Sequence, residues 1–219
     1  FITELCRRNT GGRAEDLRAF VDARLRLRSD AAQRLLALLA IHETPIDVKT
    51  AMAVARATPQ AMDELIDEGM ALRAGGRTAR LEIAHGAWAE SASRVLPAEE
   101  LRMLQRDLAD CLRRSIEPDH GAIAALFEAS GDAFAAAEHA LAAAYAFLKR
   151  LDFENAERSF LRALRNGLDD RQTREAYADA LARAGRRRDS AAMYVEVARG
   201  LEGEARDERI LCAAEYSMA

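Results

Sequence analysis

Lysine is almost missing from this chain. Of 32 basic residues only Lys49 and Lys149 are lysines, and every other cation is an arginine, a bias expected of a GC-rich coding sequence. The acidic residues outnumber them and the net charge is −4, which gives no reason to expect nucleic acid as a partner. Cysteine is scarce too. Cys6, Cys111 and Cys212 are odd in number, far apart and without a CxxC or Cys/His neighbour at metal spacing, a usage that fits a reducing compartment. No apolar run approaches the roughly 20 residues that span a bilayer, so no membrane is expected and a cytoplasmic location is.

The motifs of common catalytic chemistry are also absent. There is no GxxxxGK[ST], and neither lysine follows a glycine loop, so these residues do not cradle nucleotide phosphates in the P-loop manner. There is no HExxH, DxDxDG or GxSxG. His42, His85, His120 and His139 are scattered among different segments, and pairs such as Asp63/Glu64 and Asp67/Glu68 read as solvated helical positions. No enzyme activity, metal or cofactor is therefore expected of this segment.

What is present is helix. Half the residues are apolar and 31% are charged, a balance that supports a packed fold rather than disorder. Residues 1–28 read as two helices parted by "NTGG" at 9–12, the first with Phe1, Leu5 and Cys6, the second with Leu17, Phe20, Val21, Arg24 and Leu25 at helical spacing. From Ser29 the units become compact. "SDAAQRLLALLAIHE" opens on a capping Ser/Asp and ends before Pro45; "DVKTAMAVAR" starts at an Asp cap; "TPQAMDELIDEGM" has Thr58 as cap, Pro59 at the first helical position and Gly69 as its close. Two strand-like runs, 70–74 and 78–84, are joined by Gly75-Gly76. Then "LEIAHGAWAESA" passes from strand to helix at His85. Three or four helices with a two-stranded wing make the order of a winged-helix domain at 29–97.

After Pro97 the pattern is helical throughout. A repeat emerges when the turn residue before a helix is set to zero, with small residues at +5 and +12 and an aromatic at +9. Leu151 leads to Ala156, Phe160 and Ala163; Gly185 leads to Ser190, Tyr194 and Val197. The two zeros stand 34 residues apart, the tetratricopeptide period. Gly131, followed by Ala136, Ala140 and Ala143, reads as a degenerate earlier unit. The prediction is a mainly α chain: linker helices at 1–28, a winged helix at 29–97, and an antiparallel helical solenoid of tetratricopeptide-like repeats at 98–219. The sequence starts at Phe1 without a methionine or signal peptide and stops at "ILCAAEYSMA" inside a helical pattern, so the chain is expected to be a piece of a longer polypeptide.

A winged helix invites a DNA-binding reading, with its third helix in the major groove. Here that helix carries Asp63, Glu64, Asp67 and Glu68 and no basic residue, whereas phosphate contacts need Lys or Arg. The wing has only Arg73, Arg77 and Arg80, and Arg186-Arg187-Arg188 sits at a repeat turn as a solvated corner. A DNA-binding regulator with a helical dimerisation or effector domain therefore stands as the second reading.

The run from "LRAFVDARLRLRSDAAQRLLALLAIHE" through "AMDELIDEGMALRAGG" to "LEIAHGAWAESASRVLPAEELRMLQRDLADCL" resembles the region after the ATPase core in bacterial signal-transduction ATPases with numerous domains. These include the maltose-type activators and the modules fused to Ser/Thr kinases, adenylate cyclases and transcription regulators. "FITEL" resembles the helix after the lid of such a core. The resemblance implies a non-catalytic regulatory segment. An upstream ATPase core in the same chain would bind ATP or ADP with magnesium, the winged helix would relay nucleotide state, and the repeats would bind a protein or small ligand. In related ATPases a histidine at the wing–helix junction contacts the ADP phosphate, which makes His85 the nucleotide-sensing candidate. The sequence departs from that pattern at Gly86, where the family has an acidic residue, at Ala89 and Glu90, where a basic residue is common, and at Gln105, where a later histidine is. From the residues alone the favoured reading of His85 is a cap packed beside Trp88.

Overall fold

The computed structural model describes residues 14–75, 79–199 and 202–218. The expected first helix, the "NTGG" break, and the Gly76–Thr78 part of the hairpin connection lie outside these. The sequence suggested boundaries at Ser29 and Pro97; by compactness the chain divides once, between Cys111 and Leu112, into two units. Twelve helices and one small sheet are found among the described residues, so the chain is mainly α.

In the first unit, α1 (Ala14–Arg26) is followed by α2 (Asp30–His42), whose start is fixed by Ser29: its hydroxyl oxygen accepts from the Ala32 N–H at 3.3 Å. Leu35, Leu36, Leu38 and Leu39 are all buried, so α2 is apolar around most of its circumference. That requires neighbours on several sides, and α3 (Val48–Ala55), α4 (Pro59–Asp67) and α5 (Gly86–Val95) all pack against it. Asp47 and Thr58 cap α3 and α4 by accepting from Thr50 and Ala61 N–H groups. Gly69, at φ 66°, makes the left-handed turn that releases the chain into β2 (Ala71–Ala74). β3 (Arg80–Ile83) returns antiparallel, pairing Arg73 with Leu81. A third strand, β1 (Ile46–Asp47), pairs with the other edge of β3, Ile46 opposite Leu81, so the order is β1-β3-β2 rather than a two-stranded wing alone. Two residues after a proline carry no strand periodicity; β1 exists because β3 offers it a partner. The last helix of this unit is α6 (Ala98–Leu112), which buries Leu104, Leu108 and Ala109.

The second unit contains α7 (His120–Ser130), α8 (Ala133–Lys149), α9 (Phe153–Arg165), α10 (Arg171–Arg183), α11 (Arg187–Ala198) and α12 (Glu204–Met218). Each helix packs on the next. Asp119, Asp132, Asp152 and Asp170 cap four of them, each accepting from the N–H three residues on.

Helices α9 and α11 start thirty-four residues apart and α7 starts thirty-three before α9. The eighth residue of each is a buried aromatic: Phe127, Phe160 and Tyr194. The core clusters recur at the same interval, Ala144 with Phe160 in one and Ala178 with Tyr194 in the next. This corrects one detail of the sequence reading. Gly131 precedes α8, and its alanines Ala136, Ala140 and Ala143 are buried but have no aromatic in phase. The earlier unit in register begins at Pro118 and carries Ile123 and Phe127 on α7.

Candidate functional site

His85 lies at the seam that the sequence marks. β3 ends at Ile83, and His85 occupies the N-cap position of α5 in an extended conformation. Its backbone carbonyl accepts from the Trp88 N–H at 3.0 Å, yet its side chain makes no capping bond and is exposed. His85 is thus the N-cap of α5 by position, as the cap reading has it, while its imidazole makes no capping bond and stands beside a helix N-terminus, where unsatisfied N–H groups favour an anion. Gly86 has no heavy atom within 4 Å of where a Cβ would stand, so the first carbon of a side chain would meet no obstruction there.

Trp88, the single tryptophan, is fully buried and its indole N–H has no hydrogen-bond partner among the described residues. The Arg24 guanidinium lies 5.8 Å from its ring centroid and also pairs with Glu68. Arg28 Nη1 bonds Glu68 at 2.8 Å, and the Ser29 hydroxyl donates to Glu64 at 2.7 Å. Asp63 pairs with Arg73 of β2. Asp63 and Asp67 are exposed, as expected of solvated positions, whereas Glu64 and Glu68 are partly buried and tie this stretch to Arg24, Arg28 and Ser29. Arg24 holds the Glu68 carboxyl below the ordinary carboxylate range.

In the second unit Ala156, Phe160, Ala163, Ser190, Tyr194 and Val197 are all buried. The Phe160 ring centroid is 5.6 Å from Tyr177 and 5.8 Å, edge-on, from Tyr145. Tyr177 donates its hydroxyl to Glu157, and burial raises it to about 12. Tyr194 donates to Asp179 and is likewise raised, by burial first. Arg186, Arg187 and Arg188 are all exposed, as a solvated corner requires, and Arg186 also bridges Glu157 and Asp189.

Two features escaped the sequence reading. The histidines are not all scattered: His120 and His139 lie on the two arms of the hairpin closed at Gly131, with Nδ1 atoms 2.9 Å apart and His139 stacked on Phe127. The second feature is a groove of about 380 Å³ between α8 and α10, lined by Tyr145, Leu148, Lys149, Ala176, Asp179 and Arg183. Among the described residues no group of three or more His, Cys, Asp or Glu side chains is placed to hold a metal, and no helix is long and apolar enough to cross a membrane. Compared with known protein families, curated proteins and solved structures, the chain matches none of them.

Proposed function

We propose that this chain is a non-catalytic regulatory segment of a cytoplasmic signal-transduction ATPase, its first unit a winged helix that relays nucleotide state and its second a set of tetratricopeptide-like repeats that bind a protein or small ligand. One observation carries the reading: the order α2-β1-α3-α4-β2-β3-α5 is followed in the same chain by helices whose core clusters recur at thirty-four residues. That pairing of modules is the one the sequence resemblance implies. His85 supports it as an exposed, unbonded imidazole at a helix start, with open space at Gly86 for a phosphate oxygen to approach. ATP or ADP with magnesium would be held by the upstream core, with His85 supplying one phosphate contact from this segment.

The DNA-binding reading is less well supported. Helix α4 presents carboxylates, and Arg73, one of the few cations of the wing, is paired with Asp63. The proposal is tested by purifying the full product of the gene and measuring ADP and ATP binding by calorimetry. Micromolar or tighter nucleotide binding is expected. A full-length product that binds neither nucleotide overturns the ATPase assignment.

A further inference from the structure

We infer that His120 and His139 form a two-histidine zinc site that clasps α7 to α8, with water at the remaining tetrahedral positions. The inference draws nothing from the ATPase assignment and stands or falls apart from it.

The fold brings the pair together from nineteen residues apart. His120 is the first residue of α7, whose start is fixed by the Asp119 carboxylate accepting from the Ala122 N–H at 3.1 Å. The chain reverses at Gly131, at φ 87°, and α8 packs back on α7 with His139 as its seventh residue. His139 stacks on the buried Phe127, ring centroids 5.6 Å apart, and both imidazoles are half-buried. One ring is placed by a capped helix start and the other by an aromatic neighbour, so binding has little ordering entropy left to lose.

The separations select the geometry of the ion. A metal about 2.0–2.1 Å from each nitrogen lies roughly 3.2 Å from each ring centroid. Ligands at a right angle then put the centroids about 4.5 Å apart, a linear pair about 6.4 Å, and a tetrahedral pair about 5.2 Å. The observed separation is 5.1 Å. The Nδ1 atoms, 2.9 Å apart and nearly head-on, have to open to about 3.3 Å while each ring swings by about 35°. The χ2 torsion of histidine is broad enough to take up most of that swing. Imidazole ligands in tetrahedral array are the preference of zinc, whereas copper(II) and nickel(II) favour right-angle sets.

The charged neighbours of His139 act in opposite directions, Arg113 against a cation and Glu138 in its favour. Among the described residues no third His, Cys, Asp or Glu side chain completes a set with the pair. Water therefore fills the other positions, and the ion is exchangeable rather than locked in as in a four-ligand structural site.

The test is calorimetric titration of the whole, tag-free chain with zinc after trace metal is removed, with one zinc per chain expected. His120→Gln and His139→Gln should each weaken binding by about 10-fold or more, since changes even outside the bonded ligands cost that much. His42→Gln, in the first unit, should leave it unchanged. Cobalt(II) in place of zinc should give the intense visible absorption of a tetrahedral ion. Diethyl pyrocarbonate labelling of the unaltered chain, mapped by mass spectrometry, should fall at His120 and His139 when zinc is present and stay constant at the exposed His85. That readout requires no variant to fold. Absence of zinc binding up to millimolar concentration, affinity indifferent to both variants, or labelling of the pair unchanged by zinc overturns the inference. The weak absorption of octahedral cobalt would overturn the tetrahedral assignment.

Discussion

His120 Nδ1 and His139 Nδ1 lie 2.9 Å apart, which requires one ring to donate and the other to offer a lone pair. Burial, then the charges of His120 and Arg113, hold the His139 imidazole below its ordinary value near 6.5, with Glu138 pulling the other way. The unfolded chain therefore takes up the proton at higher pH than the native one. The stability contributed by His139 is full above about pH 6.5 and is lost as pH falls through that value toward the lower native one. Replacing His120 by Gln removes the neighbouring imidazole and keeps a hydrogen-bonding group. Urea midpoints measured from pH 7 to 5 should then fall less steeply than in the wild type; an identical slope would rule out this coupling.

Glu68 receives Arg24 and Arg28 together and so ties α4 to α1. Because its folded-state pKa is lowered, its contribution is present above the unfolded value near 4.5 and is lost as pH falls through the native one. Glu68→Gln should cost about 1 kcal/mol at neutral pH, and the difference from wild type should vanish in acid. Trp88, buried in the same unit, provides the fluorescence signal.

Leu151 sits at φ 59° in the turn before α9, and its counterpart thirty-four residues on is Gly185 at φ 78°. A left-handed conformation costs a non-glycine residue roughly 1–2 kcal/mol, and glycine returns up to about 1 kcal/mol of that as unfolded-chain entropy. Leu151 is also 72% exposed, so little packing is lost. Leu151→Gly is expected to stabilise the second unit by about 0.5–1 kcal/mol in urea denaturation.

Phe160 is fully buried between Tyr145 and Tyr177, at the position where Tyr194 recurs in the next unit. Phe160→Ala should destabilise by about 3–5 kcal/mol through the cavity it leaves. Phe160→Tyr, the residue of the next repeat, should cost less than Phe160→Ala. The comparison of the two urea midpoints checks whether the aromatic position is interchangeable between units.

Much of this fold is legible in the sequence where local chemistry fixes it. Ser29, Asp47 and Thr58 cap the helices they were expected to cap, and Gly69 takes the left-handed turn. The passage from strand to helix at His85 lies where the alternation stops. What was not legible depends on partners distant in sequence. β1 needs β3, the Glu64 and Glu68 pairs need α1, and the His120–His139 contact needs the register of a hairpin. In α8, alanine occupies so many positions that small residues recur at almost any offset; the aromatic, Phe127, is the residue that sets the phase. The surroundings of His85 were unreadable for a related reason. A cap side chain and a free one have the same sequence.

We propose that this segment reads the nucleotide state of an ATPase core through His85, and retention of bound ADP by the full gene product decides whether it does. Wild-type and His85→Ala proteins would be loaded with fluorescent ADP and its release followed after dilution into excess unlabelled ADP. Loss of a charge-assisted phosphate contact predicts release about 10-fold faster in the variant, with the fold unchanged by circular dichroism. Equal release rates from the two proteins would contradict the account.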